Sequence, residues 1–156
     1  MQKYRALSKS ELIEFKDEFI SFLVINGIEA DDWQKLKDSD QQKAEKIIDH
    51  FSEVIFEGIF RKNMYLEFVS AKSMKCFQFL QEKAILVGLD AKSDSKINFL
   101  GEQSLDSIIL NNSNGVEVYH TSKTYSKTRE EEMFDMLSSG ARLSKGRLFK
   151  QISLLL

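Results

Sequence analysis

The sequence contains no proline, although ordinary usage of about 5% would supply roughly eight in a chain this long. That absence argues against proline-rich linkers and fits uninterrupted helices joined by short turns. Cysteine is scarce too. The single thiol, Cys76, leaves no internal disulfide and no cysteine-rich zinc site to consider. Histidine occurs only at His50 and His120. No stretch is apolar enough to span a bilayer: the longest helical one, Phe19 to Ile25, is interrupted by Ser21. No basic region precedes an N-terminal apolar core, so no secretion signal is recognised and a cytoplasmic location is expected. Strong charge of either sign is also missing. The formal net charge is −2 and the isoelectric point is near 5.8. Neither gives a blanket attraction to phosphate backbones or anionic membranes, and no membrane partner is expected.

What is present is the composition of an ordinary globular chain, with 42% hydrophobic residues in 156. A chain of this size buries about 70% of its unfolded surface as one domain. A single α+β domain over residues 1–156 is expected, with a helical hairpin at 8–62, a β region at 64–125 and helices at 128–155. The charges divide unevenly along it. Residues 8–57 carry 13 acids against 6 bases, whereas residues 140–156 carry Arg142, Lys145, Arg147 and Lys150 with no acid. The basic segment is expected either to dock on the acidic helices or to meet an external anion.

The N-terminal signals are the strongest. Ser8 and Glu11 form a capping box, flanked by Leu7 and Leu12 as a hydrophobic staple. Gly27 supplies a left-handed stop, with Ile28 folding back on Leu23. One helix over residues 9–26 is therefore predicted, its apolar stripe running through Leu12, Phe15, Phe19, Phe22 and Leu23. A short helical turn follows at 31–37, capped by Asp31 or Asp32, with Trp33 and Leu36 facing inward. A third helix runs from Ser39 or Asp40 to about Lys62, keeping the helical period from Ala44 to Ile59. The two long helices should pack antiparallel.

The period then changes. Tyr65–Val69, Lys75–Leu80 and Ala84–Leu89 read as short strands, with Gln81-Glu82-Lys83 as a hairpin connection. Asn111-Asn112-Ser113-Asn114-Gly115 reads as a turn between strands at Leu105–Leu110 and Val116–Thr121. Four to six antiparallel strands in a meander are predicted. Thr128 and Glu131 form a second capping box, and Glu130 to Glu132 suit the first turn of a helix. Gly140 ends that helix, and Ser144 is expected to cap a last one carrying Leu148, Phe149, Ile152 and Leu155.

Several of these stretches carry a resemblance. Lys3-Tyr4-Arg5-x-Leu7, Phe22-Leu23 to Asn26-Gly27-Ile28, Trp33, and Phe51-Ser52 through Ile55-Phe56-Glu57 to Tyr65-Leu66-Glu67 belong to it. So do Arg129 to Phe134, Gly140-Ala141-Arg142 and Ser144-Lys145-Gly146. Together they are similar to an uncharacterised family of small proteins from Bacteroidetes bacteria, a domain of unknown function. The resemblance spans nearly the whole chain. It implies one bacterial cytoplasmic domain and carries over no activity, cofactor or catalytic residue.

No residue pattern points firmly to a reaction. Cys76 could pair with His50 or His120 as a thiol–imidazole nucleophile. However, no helix start or glycine turn abuts Cys76 to activate it, so a small strand residue is the favoured reading. Positions 46, 50, 53 and 57 share a helix face on which a His-carboxylate metal site can be drawn. A di-iron bundle would need a glutamate where Ile47 stands, and Lys46 and the Glu57–Arg61 pair make a solvated face the better reading. His120 alternates with Val116 and Val118 and is expected at a strand end. Phosphate-binding glycine motifs are absent. No cofactor, metal or catalytic residue is assigned.

Two binding candidates remain. Helix, break at 138–143, and helix starting Ser144-Lys145-Gly146-Arg147 resemble a helix-turn-helix in outline. Arg142, Lys145, Arg147 and Lys150 would be the anion or nucleic-acid contacts, with Lys127 and Arg129 on the backbone. The long connection, the acidic chain and the lack of interleaved aromatics count against it. The second candidate is assembly. The apolar run Ile152, Leu154, Leu155 and Leu156 must be folded in or covered by another subunit. Ile13, Ile20, Val24 and Ile25 lie outside the main stripe of the first helix, which suggests a helix held on more than one side. A non-enzymatic protein–protein interaction or assembly domain, as a homodimer or with another protein, is the leading expectation. A nucleic-acid-associated protein is the alternative.

Overall fold

The computed structural model describes residues 3–112 and 114–156. Its Cα positions fall into two compact units, Met1–Ile59 and Phe60–Leu156. The boundary lies inside the last turns of a helix, not in the turn that follows it.

The first unit is helical: α1 (Lys9–Glu14), α2 (Lys16–Ile25), α3 (Ala30–Ser39) and most of α4 (Gln41–Lys62). The capping box is present as expected. Ser8 Oγ accepts from the Glu11 N–H, and the Glu11 carboxylate accepts from the Ser8 N–H at 2.9 Å. The stop is present too: Gly27 takes φ +75° and Ile28 N–H donates to Leu23 O at 2.8 Å. Between these ends the predicted continuous helix is interrupted. Phe15 leaves the helical range, at φ −99° and ψ 26°, so α1 and α2 are separate segments with no glycine or proline at the break. The following turn is longer than predicted and starts earlier, at Ala30. Glu29 precedes it without a side-chain cap bond, so neither Asp31 nor Asp32 is the cap. Asp40 does receive the Lys43 N–H at the start of α4.

Aromatic pairs lock α2 to its neighbours. Phe19 meets the Trp33 edge at 5.2 Å and Phe51 at 4.9 Å, and Phe22 meets Phe51 at 5.3 Å. Nearer the start of the chain, Tyr4 packs on Phe56 at 5.6 Å. Pairs that run from Phe22–Phe51 to Tyr4–Phe56 make the chain leading through α2 antiparallel to α4, as the sequence suggested.

The second unit is a five-stranded antiparallel sheet in the order β4-β3-β2-β1-β5. The strands are β1 (Tyr65–Val69), β2 (Ser73–Phe79), β3 (Lys83–Ala91), β4 (Val116–Thr124) and β5 (Arg142–Ser144). The first four form the expected meander, and Leu80 N–H donates to Lys83 O across the predicted hairpin. Strand alternation separates two faces. Met74, Cys76, Val87 and Leu89 point to one core, closed by Ile97, Phe99, α5 (Leu105–Asn111) and α7 (Arg147–Ser153). Phe77, Phe79 and Leu86 point the other way, where α6 (Arg129–Ser138) brings Met136. The α+β class is thus as expected.

In this unit two local predictions fail. Leu105–Leu110, read as a strand, is helix α5: Ser104 Oγ accepts from Ser107 N–H, and Leu105 and Ile108 are buried one turn apart. The turn after it joins a helix to a strand; Gly115 N–H donates to Asn112 O, and Ser113 lies outside the described residues. Secondly, the stretch read as a break and a helix cap forms β5 on the β1 edge, pairing Tyr65 with Ser144 and Glu67 with Arg142. Positive-φ glycines, Gly140 at +112° and Gly146 at +85°, bracket it. Ser144 is therefore a strand residue, and α7 starts after Gly146 with no side-chain cap bond.

Candidate functional site

The features considered as catalytic stand apart or are occupied. Cys76 is 1% exposed, and burial, with the Glu67 carboxylate beside it, pushes its thiol up to about 12. It is therefore a neutral thiol at physiological pH. His120 lies on the same sheet face with Val87 between the two, two strand spacings or about 10 Å away, and is exposed on the edge strand β4. His50 belongs to the helical unit, exposed beside Phe22 at 5.9 Å. Glu57, drawn above as a ligand, is taken by Tyr4 Oη at 2.8 Å and Lys3 Nζ at 3.0 Å. Among the described residues no group of three or more metal-ligating side chains converges, and no helix is long and apolar enough to cross a membrane.

The basic candidates divide. Arg142 Nε donates to Glu67 Oε1 at 2.8 Å, where β5 pairs with β1. Its partner is thus a carboxylate on the next strand. The Lys150 ammonium lies 5.9 Å from the Tyr65 ring centre. Lys145 and Arg147 are exposed and, among the described residues, make no ion pair. The helix-turn-helix outline is replaced by helix, strand and a short helix. Nor do the two flanking cations stand free: Lys127 pairs with Asp135 at 2.7 Å, and Arg129 is a structural clamp. The Arg129 guanidinium donates to three backbone carbonyls, Phe60 at 2.8 Å, Asn63 at 2.8 Å and Phe79 at 3.1 Å.

The assembly candidates also divide. Ile152 is fully buried in the sheet core, whereas Leu154, Leu155 and Leu156 are 86%, 39% and 58% exposed. The helical unit exposes more. Ile13, Ile20, Val24 and Ile25 are 74%, 48%, 63% and 84% exposed, and the surface between them is grooved on two sides of α2. A groove of about 350 Å³ runs past Leu12, Ile20, Leu23 and Val24 to Trp33, with Lys16 at its margin. A second, of about 530 Å³, lies between α2 and α4. It was not anticipated as a site, because which helix faces stay uncovered depends on how the helices pack. A smaller cleft of about 200 Å³ lies between α6 and the sheet, lined by Phe77, Leu86, Tyr125 and Met136 with Lys123 and Glu132 at the edge. Lys123 and Glu132 are 3.6 Å apart.

Several residues that carry the family resemblance make folding contacts. Tyr4 and Leu7 are buried, Leu7 N–H donates to Ser52 Oγ, and the Tyr65 ring presses against Gly146. No curated protein and no solved structure matches the chain. A family profile matches residues 1–156 in full, and the chain accordingly belongs to a family of unknown function, DUF6495.

Proposed function

We propose that this chain is a non-enzymatic cytoplasmic domain that works by protein–protein contact, a second copy being its simplest partner. The observation that carries this reading is the aliphatic surface of α1 and α2. Four side chains, Ile13, Ile20, Val24 and Ile25, stand half to mostly exposed around one helix pair, beside two open apolar grooves. Clustered aliphatic exposure of this kind marks an interaction surface, since water contact with it costs about 25 cal/mol per Å². The exposed Leu154 and Leu155 add a second apolar surface in the sheet unit.

Sedimentation velocity over a wide concentration range tests the reading, together with the set of proteins that copurifies from the native cell. Association is expected in one or the other, and Ile20→Glu with Val24→Glu should abolish it. A chain that stays monomeric at every concentration, with copurifying proteins unchanged by that double substitution, refutes the reading.

A further inference from the structure

We infer that the groove between α2 and α4 receives a basic amphipathic helix from a partner protein. The inference rests on the interaction reading above and adds the partner's form and charge.

The form follows from the groove. On α2 it is lined by Glu18, Phe22 and Ile25, spaced i, i+4 and i+7, so it runs along the helix. From Asp17 to Ile25 that length is about 12 Å at 1.5 Å per residue. Across from them Val54 and Ile55 of α4 complete the apolar wall, and Ile25 and Val54 are 84% and 50% exposed. An open trough of this length accepts about two turns of helix, whose own anchors recur at the same spacing.

The charge follows from the rim. Asp17 and Glu18 line the groove and no base does. Among the described residues neither carboxylate makes an ion pair. Both are free to meet an incoming cation, in a unit whose residues 8–57 already carry 13 acids against 6 bases. A lysine-rich helix gains rim pairs here, while an acidic helix or an anionic membrane surface is repelled. The groove on the α3 side is different, because Lys16 lines it and Lys37 lies over Trp33.

The test is an amide NMR titration of the full chain with two synthetic amphipathic peptides of roughly four helical turns. One carries leucine at i, i+3, i+4 and i+7 with lysine elsewhere; the other carries glutamate in place of every lysine. The lysine peptide should shift amides of residues 17–25 and 51–55 and bind about tenfold tighter than the glutamate peptide. Asp17→Lys with Glu18→Lys should invert that preference. Asp17→Asn with Glu18→Gln, which leaves the helix start polar, should erase it. Equal binding of both peptides, no shift in α2 and α4, or shifts confined to the Trp33 groove would overturn the inference. If the peptides fail while Ile20→Glu with Val24→Glu still abolishes association, only the groove assignment falls. If association fails too, the interaction reading falls with it.

Discussion

At Arg129 a single side chain closes several gaps at once. Its planar guanidinium reaches the carbonyls of Phe60, Asn63 and Phe79, two of them near the end of α4, where carbonyls lack helical partners. A lysine is a point donor and cannot span three acceptors. Arg129→Lys should therefore lower stability by about 2–4 kcal/mol, seen as a lower urea midpoint with an unchanged slope. Gly146 is constrained in another way. Its φ is +85°, and an added Cβ would sit 2.5 Å from the Tyr65 ring, so Gly146→Ala should cost about 1–3 kcal/mol. Cys76 gives a pH signature. Its thiol is raised from 9.0 to about 12 in the fold, so above pH 9 the unfolded chain releases a proton that the folded chain keeps. The stabilisation is complete below about 9 and is lost as pH rises towards 12. A thiol reagent at pH 8 should label Cys76 only after urea is added, and native labelling at the unfolded rate would contradict the buried assignment.

Among the elements, those fixed by neighbours within one turn were readable in advance. Ser8 and Glu11 are three residues apart, Leu23 and Ile28 five, and their hydrogen bonds form wherever the chain is placed. The start of α1 also titrates. Hydrogen bonds from Arg5 at 2.7 and 3.0 Å, and then from the Ser8 N–H, hold the Glu11 carboxyl at about 2 against an ordinary 4.5. A depressed carboxyl stabilises the fold above about 4.5, and that contribution fades as pH falls towards 2. Glu11→Gln should flatten the acid limb of the stability curve in that window. The same local logic fails for α5 and β5. Leu105, Ile108, Ile109 and Leu110 fit either a buried strand or a helix by sequence alone; the sheet core that Leu105 and Ile108 enter decides for helix. Arg142–Ser144 has no strand signature of its own and becomes a strand because β1 offers an unpaired edge.

For the whole molecule, the run Ile152 to Leu156 shows how far neighbours in sequence can differ in role. Ile152 is fully buried and Leu155 is 39% exposed. Ile152→Ala should cost about 2–4 kcal/mol, while Leu155→Ala should change monomer stability by no more than about 0.5 kcal/mol. Thermal melts at low protein concentration read the contrast. The basic segment carries an opposite expectation. Arg142 is paired with Glu67, and β5 separates α6 from the seven-residue α7, so mixed duplex DNA at low salt should bind weakly or not at all. Tight binding that Arg147→Glu removes would favour the nucleic-acid reading over the assembly reading.

By itself the sequence determined the element types wherever caps, stops and periodicity act over a few residues. It also determined the uneven charge of the two ends and, through its motifs, the family. Tertiary structure alone decided which apolar residues are core and which are surface. Ile13, Ile20, Val24 and Ile25, off the main stripe, suggested a helix held on more than one side, yet they are 74%, 48%, 63% and 84% exposed while Leu23 on the stripe is buried. The reason is physical: a helical period specifies that a face is apolar, whereas burial depends on what packs against it. In the helical unit, packing leaves two sides of α2 open, and the proposed function rests on those surfaces.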